Sequence, residues 1–401
     1  MPEKFSRTGV TRTSMRIGLY HGPLYHGANG YETYGPYARY VAEFARRFEE
    51  VVVFAPVTRR ETDYRGCRIE ATNVRVVELP DFSTHIQATR YALHLYRIFK
   101  HEIGGVDVIN CRNTAPYGYL LYFLGRARDI GFFYHFTSDP WEILTVGPKY
   151  RGLYGLFARS AYSADFMIQK CVMRRSFSFV NGRLPYERLR SITDRLDLVI
   201  SSTLMESDLH APDNLALHEP VRLLYVGYLK HMKGLDYLIE AVNLVRREGI
   251  DAELHLVGSG PEEDALRRQA ANLALDDRVH FHGYVPMGRK LNRHYDEADV
   301  FVFPSLSEGS PRVVLEGLAH GLPMISTEVG SVPDLVVDGH SGLVVPLRDA
   351  GALAGAMVRY VNDDGLRRRC AVNGFSVARG HTLEHFIAPL VEKAKSLARR
   401  Q

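Results

Sequence analysis

Residues 299–323, D-V-F-V-F-P-S-L-S-E-G-S-P-R-V-V-L-E-G-L-A-H-G-L-P, constrain the fold of this chain more than any other stretch. Residues 300–303 form a short apolar run rich in branched and aromatic side chains, which predicts a buried parallel strand. Ser310 and Pro311 are typical of a helix start, and Gly321 is typical of the position after a helix end. The stretch therefore predicts a strand, a loop and a helix of about ten residues.

Two carboxylates take distinct positions in this unit. Glu308 follows the strand, at the edge where open α/β sheets bind ligands, and Glu316 lies eight residues later inside the helix. The backbone amides of Arg312 and Val313, in the first turn, are suited to an anion. The pattern predicts a phosphate site with two hydroxyl acceptors nearby. In the alternative interpretation, Glu316 pairs with Arg312 and Glu308 is a solvated loop residue.

The segment E-G-S-P-R-V-V-L-E resembles the E-x7-E signature of the large family of retaining glycosyltransferases usually numbered four, whose fold is the two-domain GT-B type. The preceding strand and the A-x-G-x-P ending belong to the same resemblance, which places Gly309 and Ser310 among the donor-binding residues. It implies that Glu316 accepts hydrogen bonds from the ribose hydroxyls and that Glu308 accepts them from the sugar.

Length and composition bound the class of protein. A chain of 401 residues is long enough for two domains of about 100 to 200 residues each. It contains no apolar run near the ~18 residues of a membrane span, and residues 1–14 lack the apolar segment of a signal peptide, so we expect a flexible tail and a cytoplasmic protein. The four cysteines lie far apart, which indicates neither a disulfide framework nor a zinc site and predicts buried thiols.

Near the N-terminus, residues 15–19 and 51–55 are predicted parallel strands, joined by a loop and an amphipathic helix. The sequence G-P-Y-A-R-Y-V-A from Gly35 is similar to the glycine-rich loop of the family, in which backbone approaches the donor diphosphate. Pro36 and Ala38 replace two of its glycines, so an ordinary tight turn at Gly35 is the alternative.

Further strands are predicted at residues 107–111 and 131–136. A lone histidine at a strand end is commonly structural, but Y-H-F resembles the family position where a histidine faces the transferred sugar, which makes His135 an active-site candidate. Asp139 and Trp141 follow closely and are candidates for contact with the acceptor, or for capping and packing the next helix.

Residues 149–190 are basic and aromatic, with nine Lys and Arg against Asp165 and Glu187. Such a stretch suits an anionic membrane surface or an anionic acceptor such as a lipid diphosphate, with Arg174 and Arg175 as candidate contacts. A half-buried helix pair with a solvated basic face is the alternative. Nucleic acid is a poor fit, because no recognised binding module accompanies the patch.

The second half repeats the alternation of strands and helices. We predict a first domain at residues 15–212, a linker at 213–220, a second domain at 221–380, and a C-terminal helix at 381–401 that returns to the first domain. The predicted strands of the second domain lie at residues 221–226, 253–257, 279–281, 300–303 and 324–326.

The loop G-Y-L-K-H-M-K-G resembles the family's G-R-L-x-x-x-K-G, in which an arginine and a lysine neutralise the donor diphosphate. Lys233 matches the lysine, whereas Tyr228 stands in place of the arginine. Either Lys230 substitutes for it, or Tyr228 donates a phenolic hydrogen bond.

The sequence L-V-G-S-G-P-E-E contains Gly258 and Gly260, but Glu263 occupies the third glycine position of a dinucleotide fingerprint, which argues against a hydride-transfer enzyme. Gly258 remains a donor-binding candidate. The resemblance implies that the loop after the next strand, with Tyr284 and Val285, holds the nucleotide base.

Together these features predict an α/β protein of the GT-B type, with two Rossmann-like, doubly wound domains facing each other across a cleft. The predicted function is transfer of a sugar from a nucleoside-diphosphate sugar to an acceptor hydroxyl, with retention, without cofactor or metal, in the cytoplasm or at the inner face of the membrane. A catalytically silent GT-B module that binds sugar nucleotides or partners is the alternative. A glycogen-phosphorylase-like enzyme is disfavoured, because no lysine for pyridoxal is identified.

Overall fold

A computed structural model of the protein describes residues 12–27, 30–59, 66–137, 152–211, 215–308 and 311–398, with side chains in the helix from Gly152 described from residue 159. The chain divides into two compact units: Met1–Val199 with Glu384–Gln401, and Ile200–Leu383. Residues 200–212 and the predicted linker at 213–220 thus group with the second unit.

The first unit is built on a largely parallel sheet. Its parallel strands follow the order β6-β4-β1-β7-β8-β9-β10, which is the doubly wound order 3-2-1-4-5 continued by two further strands. The strands β2, β3 and β5 extend the sheet beside β4. The bounds are β1 Arg16–Tyr20, β2 Leu24–Gly27, β3 Gly30–Thr33, β4 Glu50–Thr58, β5 Cys67–Arg68, β6 Val74–Leu79, β7 Val108–Arg112, β8 Gly131–Phe136, β9 Phe177–Asn181 and β10 Leu196–Val199.

Helices connect these strands, and the last helix of the chain joins the same unit. The bounds are α1 Gly35–Arg47, α2 His85–Thr89, α3 Ala92–Glu102, α4 Tyr119–Arg126, α5 Gly152–Met173, α6 Arg183–Arg190 and, at the end of the chain, α13 Leu383–Ala398. On α13, Phe386 packs its ring 5.5 Å from the ring of His135 and 6.1 Å from that of Tyr40, measured between centroids.

The second unit contains a fully parallel sheet in the order β13-β12-β11-β14-β15-β16. This is again the doubly wound order 3-2-1-4-5-6. The bounds are β11 Val221–Val226, β12 Ala252–Val257, β13 Val279–Gly283, β14 Val300–Phe303, β15 Met324–Thr327, β16 Leu343–Val345, α7 Leu235–Arg247, α8 Glu263–Asn272, α9 Arg289–Asp296, α10 Arg312–Ala319, α11 Ala350–Asn362 and α12 Asp364–Gly380.

The strand and helix predicted around residue 300 are present, with one change. All four residues of β14 are buried, as expected for a central parallel strand. Helix α10 has eight residues rather than ten, because Pro311 has extended backbone angles and precedes the first helical residue, Arg312. Ser310 lies outside the described residues.

The structure bears on two further expectations, the burial of the cysteines and the lack of a membrane span. Cys111 and Cys370 are buried, but Cys67 and Cys171 are exposed, so the prediction of four buried thiols is wrong for half of them. Both exposed cysteines lie on peripheral elements, the short strand β5 and the last turn of α5. In the part of the chain that is described, no helix combines the length and apolar character needed to cross a bilayer.

Two glycines bring the loops of the second unit into contact at the carboxyl edge of its sheet. Gly234 has a φ of +63°, and a Cβ built on it would lie 2.3 Å from the carbonyl oxygen of Pro304. Gly258 has a φ of +142°, and its Cβ would lie 1.8 Å from the carbonyl oxygen of Gly227. The loops after β11, β12 and β14 therefore touch backbone to backbone, which only glycine permits.

We predict that Gly234→Ala destabilises the protein more than Gly339→Ala does. Gly339 has almost the same φ, +66°, but nothing lies within 4 Å of a Cβ built there. The backbone strain of about 1 kcal/mol is common to both variants, whereas the collision with Pro304 adds roughly 1–3 kcal/mol to Gly234→Ala alone. Urea unfolding measures both, and equal destabilisation would contradict the close approach.

Candidate active site

Lys233 and Glu308 form an ion pair at the carboxyl edge of the second sheet. Nζ of Lys233 contacts Oε1 of Glu308, and the two side chains are only 14% and 16% exposed. The hydroxyl of Ser305, a fully buried residue, lies 3.0 Å from the same carboxylate oxygen. Nζ also lies 5.6 Å from the ring centroid of Phe303. Glu308 is therefore an anchored carboxylate next to a fixed cation, and not a solvated loop residue.

Glu316 has a partner that the sequence did not reveal. The phenol of Tyr295, which is 1% exposed, donates a hydrogen bond of 2.8 Å to Oε2 of Glu316. Burial and the neighbouring Glu316 raise the pKa of Tyr295 well above its usual value, so the phenol remains a donor. Tyr295 lies near the end of α9, 21 residues before Glu316, so no local sequence pattern predicts this contact.

The start of α10 provides the amides expected at this edge. The helix begins at Arg312, so the N–H groups of Arg312 and Val313 belong to its first turn, where no acceptor exists within the helix. Both side chains are half-buried. Gly309, predicted to bind the donor beside them, lies outside the described residues, as does Ser310.

Three further residues predicted to bind the sugar-nucleotide donor follow the carboxyl ends of β11 and β13. Tyr228 is 57% exposed, and Tyr284 is 73% exposed. Val285 is half-buried against the core of the second unit. The exposed phenol of Tyr228 is compatible with a hydrogen bond to a bound anion, and the exposed ring of Tyr284 is compatible with stacking on a base.

Gly258 has a structural explanation of its own. Its N–H donates to the carbonyl of Gly283 at 2.8 Å, and its missing side chain admits Gly227, as described above. This glycine therefore joins the loops after β11, β12 and β13 at one edge.

In the first unit, His135 is the penultimate residue of β8 and is 3% exposed. Neither of its ring nitrogens has a hydrogen-bond partner among the described residues. Burial, together with nearby His21 and Arg112, holds the pKa of His135 well below its usual value. The ring is therefore neutral and keeps its hydrogen-bonding capacity.

A polar cluster that the sequence analysis missed surrounds His135 at the carboxyl ends of β1 and β7. His21 Nε2 contacts Oδ1 of Asn110, and the phenol of Tyr40 donates to the same oxygen at 2.9 Å. Because Oδ1 is an acceptor, Nε2 of His21 carries the ring proton. The His21 and His135 rings lie 5.9 Å apart between centroids. Burial lowers the pKa of His21 to about 3.

Arg112 places a cation in this cluster, at the last position of β7. Its Nε donates to the hydroxyl of Thr137, and Nη1 lies 3.3 Å from the phenol of Tyr34. The strand pairing sets Arg112 directly beside His135. Arg112 could have been identified from the sequence, because it is a charged residue at the end of a predicted parallel strand.

Gly35 is the first residue of α1, directly after Tyr34. A Cβ built on Gly35 would lie 3.3 Å from Sγ of Cys67, so the glycine relieves a tight contact with β5. Gly35 thus begins a helix and does not form a separate tight turn, and contact with a diphosphate stays a prediction.

Arg174 and Arg175 lie between the end of α5 and the start of β9, at the amino edge of the first sheet. His135 lies near the opposite end of β8. The two arginines border a cavity of about 570 Å³, whose charged lining residues are Arg126, Asp129, Arg174, Arg175, Arg195 and Lys393. The two arginines therefore lie away from His135, and their contact with an anionic acceptor or membrane stays a prediction. Asp139 and Trp141 lie outside the described residues.

Part of the second unit is similar in sequence to known proteins. Residues 220–363 match the family described as Glycosyl transferases group 1. Over 150 residues the chain is 37% identical to the amylovoran biosynthesis glycosyltransferase AmsK of Erwinia amylovora. The matched stretch covers 36% of this chain and 37% of that relative. The match thus spans a little over a third of the relative's length.

Solved structures extend the likeness to nearly the whole chain. Sucrose-phosphate synthase from Thermosynechococcus elongatus superposes with a TM-score of 0.68 at 20% identity, covering 96% of this chain and 98% of its own. Anabaena HepE, solved in complex with UDP, superposes with a TM-score of 0.69 at 14% identity, covering 95% and 100%. The predicted GT-B fold is confirmed, and the match to the Glycosyl transferases group 1 family is confined to residues 220–363 of the second unit.

The buried histidines predict that stability falls with acidity. The pKa of His21 is about 3 in the folded state and about 6.5 when unfolded, so below pH 6.5 only the unfolded chain takes up this proton. The contribution of the neutral His21 to the unfolding free energy is complete above pH 6.5 and is lost as the pH falls toward 3. Between pH 7 and pH 5 His21 accounts for a loss of about 2 kcal/mol.

We therefore expect His21→Asn to shrink the drop in unfolding free energy between pH 7 and pH 5 by about 2 kcal/mol. Urea unfolding followed by circular dichroism at both pH values measures it. The exposed His94, replaced by Asn, is the matched control and should leave the drop unchanged. The same drop in His21→Asn as in the native protein would contradict burial of a neutral ring.

Proposed function

We propose that this chain is a retaining glycosyltransferase that moves a sugar from a nucleoside-diphosphate sugar to an acceptor hydroxyl without a metal. The observation that carries the proposal is the pair of Lys233 and Glu308, set beside the first turn of α10 at the carboxyl edge of a doubly wound sheet. The biosynthetic role in the name of AmsK and the UDP bound to HepE support it.

Lys233 and the helix amides would stabilise the leaving group. As the bond from sugar to diphosphate breaks, negative charge develops on the departing oxygen, and a fixed cation and N–H donors lower the barrier. In the structure Glu308 holds Lys233. A bound diphosphate would compete for the ammonium group and release Glu308 to accept hydrogen bonds from the sugar hydroxyls.

Glu316 would bind the ribose hydroxyls with a carboxylate whose orientation is fixed by Tyr295. A carboxylate held in this way loses little freedom when it binds the ribose. On the first unit, His135 would orient the sugar through its ring nitrogens, which have no partner among the described residues. We assign no covalent nucleophile, so retention would follow from attack on the face that the diphosphate leaves.

Replacing Glu316 by Ala should weaken binding of the nucleoside diphosphate by about 1–3 kcal/mol, because its hydrogen bonds to the ribose are lost. Glu308→Gln should instead not weaken that affinity, because it removes the carboxylate that competes with the diphosphate for Lys233, and should lower turnover, since Glu308 is assigned to the sugar. A thermal-shift screen first identifies the nucleoside diphosphate that raises the melting temperature of the native protein most. Calorimetry with that nucleotide then measures affinity, and transfer assays measure turnover, in both variants. Glu248→Ala, at an exposed residue that follows α7, is the control.

Unchanged affinity in Glu316→Ala would remove this residue from the donor site. Equal loss of nucleotide binding in Glu316→Ala and Glu308→Gln would contradict their division of labour. Donor binding by the native protein with no turnover on any acceptor would favour the silent sugar-nucleotide module.

We further propose that Arg174 and Arg175 attach the first unit to an anionic membrane surface, from which a lipid-linked or other anionic acceptor would be drawn. The basic lining of the adjacent cavity supports this, since each cation near such a surface contributes roughly 1 kcal/mol.

Reversing both arginines to Glu should lower the partition onto vesicles that contain phosphatidylserine by more than about tenfold at low salt. The matched control reverses Arg267 and Arg268, an adjacent exposed pair on α8, and changes the net charge equally. Sedimentation measures both variants. Equal losses would mean that only net charge matters, and no vesicle binding by the native protein would contradict the attachment.

A further inference from the structure

Strands β12 and β13 present glutamate and histidine side chains on one face of the second sheet. Successive side chains of a strand alternate between faces, so Glu253 and His255 share a face, as do His280 and His282. His255 pairs with His280 across the two strands. The opposite face of β12 is apolar, with Ala252, Leu254 and Leu256 buried in the core.

Three of these side chains converge on one point. Nε2 of His255 lies 2.9 Å from Oε1 of Glu253, and Nε2 of His280 lies 3.5 Å from Oε2 of Glu253. One ligand atom from each of the three residues lies within 4.8 Å of the other two. Tetrahedral zinc, with bonds of about 2.0 Å to nitrogen and oxygen, requires its ligand atoms about 3.3 Å apart. Small rotations of the side chains would meet that requirement.

The hydrogen bonds around His255 leave room for a cation. Nδ1 of His255 lies 3.0 Å from Nε2 of His282. If Nδ1 donates to His282, then Nε2 of a neutral His255 presents a lone pair to the carboxylate of Glu253, and a cation between the two would relieve their repulsion. An outer partner that fixes the tautomer in this way is typical of metal-ligating histidines. If His282 donates instead, the proton on Nε2 fills that place.

We propose that Glu253, His255 and His280 bind a divalent transition-metal ion such as Zn²⁺, with His282 as the outer partner of His255. A cavity of about 270 Å³, lined in part by Glu253, His255 and His294, gives the ion access from solvent. Nε of Arg222 lies 3.3 Å from Oε1 of Glu253 and competes for the same carboxylate, so the affinity is limited.

The ion would tie β12 to β13 at His280, four residues before Tyr284, where the next loop begins. The site lies within the strands and not at their carboxyl edge, so its role is to fix this part of the sheet. It is separate from the chemistry of sugar transfer.

The test uses the full chain freed of any histidine tag and stripped of metal with a chelator. Titration with Zn²⁺ by calorimetry should show binding at this site, and saturating Zn²⁺ should raise the melting temperature by several degrees. Glu253→Gln and His280→Asn each remove one ligand at nearly constant size and should weaken the affinity at least tenfold.

A second group, His210, Asp296 and His320, also has ligand atoms within 4.8 Å and supplies the matched control. His210→Asn should leave Zn²⁺ affinity and the thermal shift unchanged. Circular dichroism confirms that each variant is folded. Absence of Zn²⁺ binding by the native chain, native affinity in both Glu253→Gln and His280→Asn, or loss of binding in His210→Asn alone would overturn the proposal.

Discussion

The approach of Gly234 to the carbonyl of Pro304 is the contact on which the candidate site of the second unit depends. It allows the loop after β11 to lie against the loop after β14, so that Lys233 reaches Glu308 although 75 residues separate them in the sequence. A side chain at this glycine would hold the loops apart. The ion pair, the anchoring by Ser305 and the position of α10 all presuppose that backbone contact.

Local sequence features predicted the elements that local physics determines. The apolar run at residues 300–303 and the proline and glycine at the ends of α10 act through neighbours in the chain, and both elements are present. The parallel direction of the strands also follows, because buried parallel strands need crossover helices, whereas the doubly wound arrangement was predicted through the family resemblance. Strand β9 was missed, since F-S-F-V-N lies in a basic, aromatic stretch that favoured helix. Because β9 was not predicted, the sequence could not show that Arg174 and Arg175 lie at the amino edge of the first sheet.

Most of the site residues that escaped prediction share one cause. Tyr295, His21 and Asn110 acquire their roles from contacts between elements far apart in the sequence, and no spacing encodes such contacts, whereas the position of Arg112 at the end of a strand was a signal that the sequence did contain. His135 was found through resemblance, but its environment was not. Only the structure shows a neutral ring, inside a cluster of aromatic and polar side chains, whose two nitrogens have no partner among the residues that the structure describes. Buried polar atoms usually find partners, which is why this ring stays a candidate for contact with a ligand.

The first unit is made from two separated pieces of chain, because residues up to Val199 are completed by Glu384 and the residues after it. The second unit is in this sense an insertion. During synthesis the ribosome must produce all of residues 200–383 before Phe386 exists to pack on His135. The second unit can fold as soon as it emerges, whereas the earlier one lacks its last helix until then, so the half of the protein that is made first is the half that is finished last.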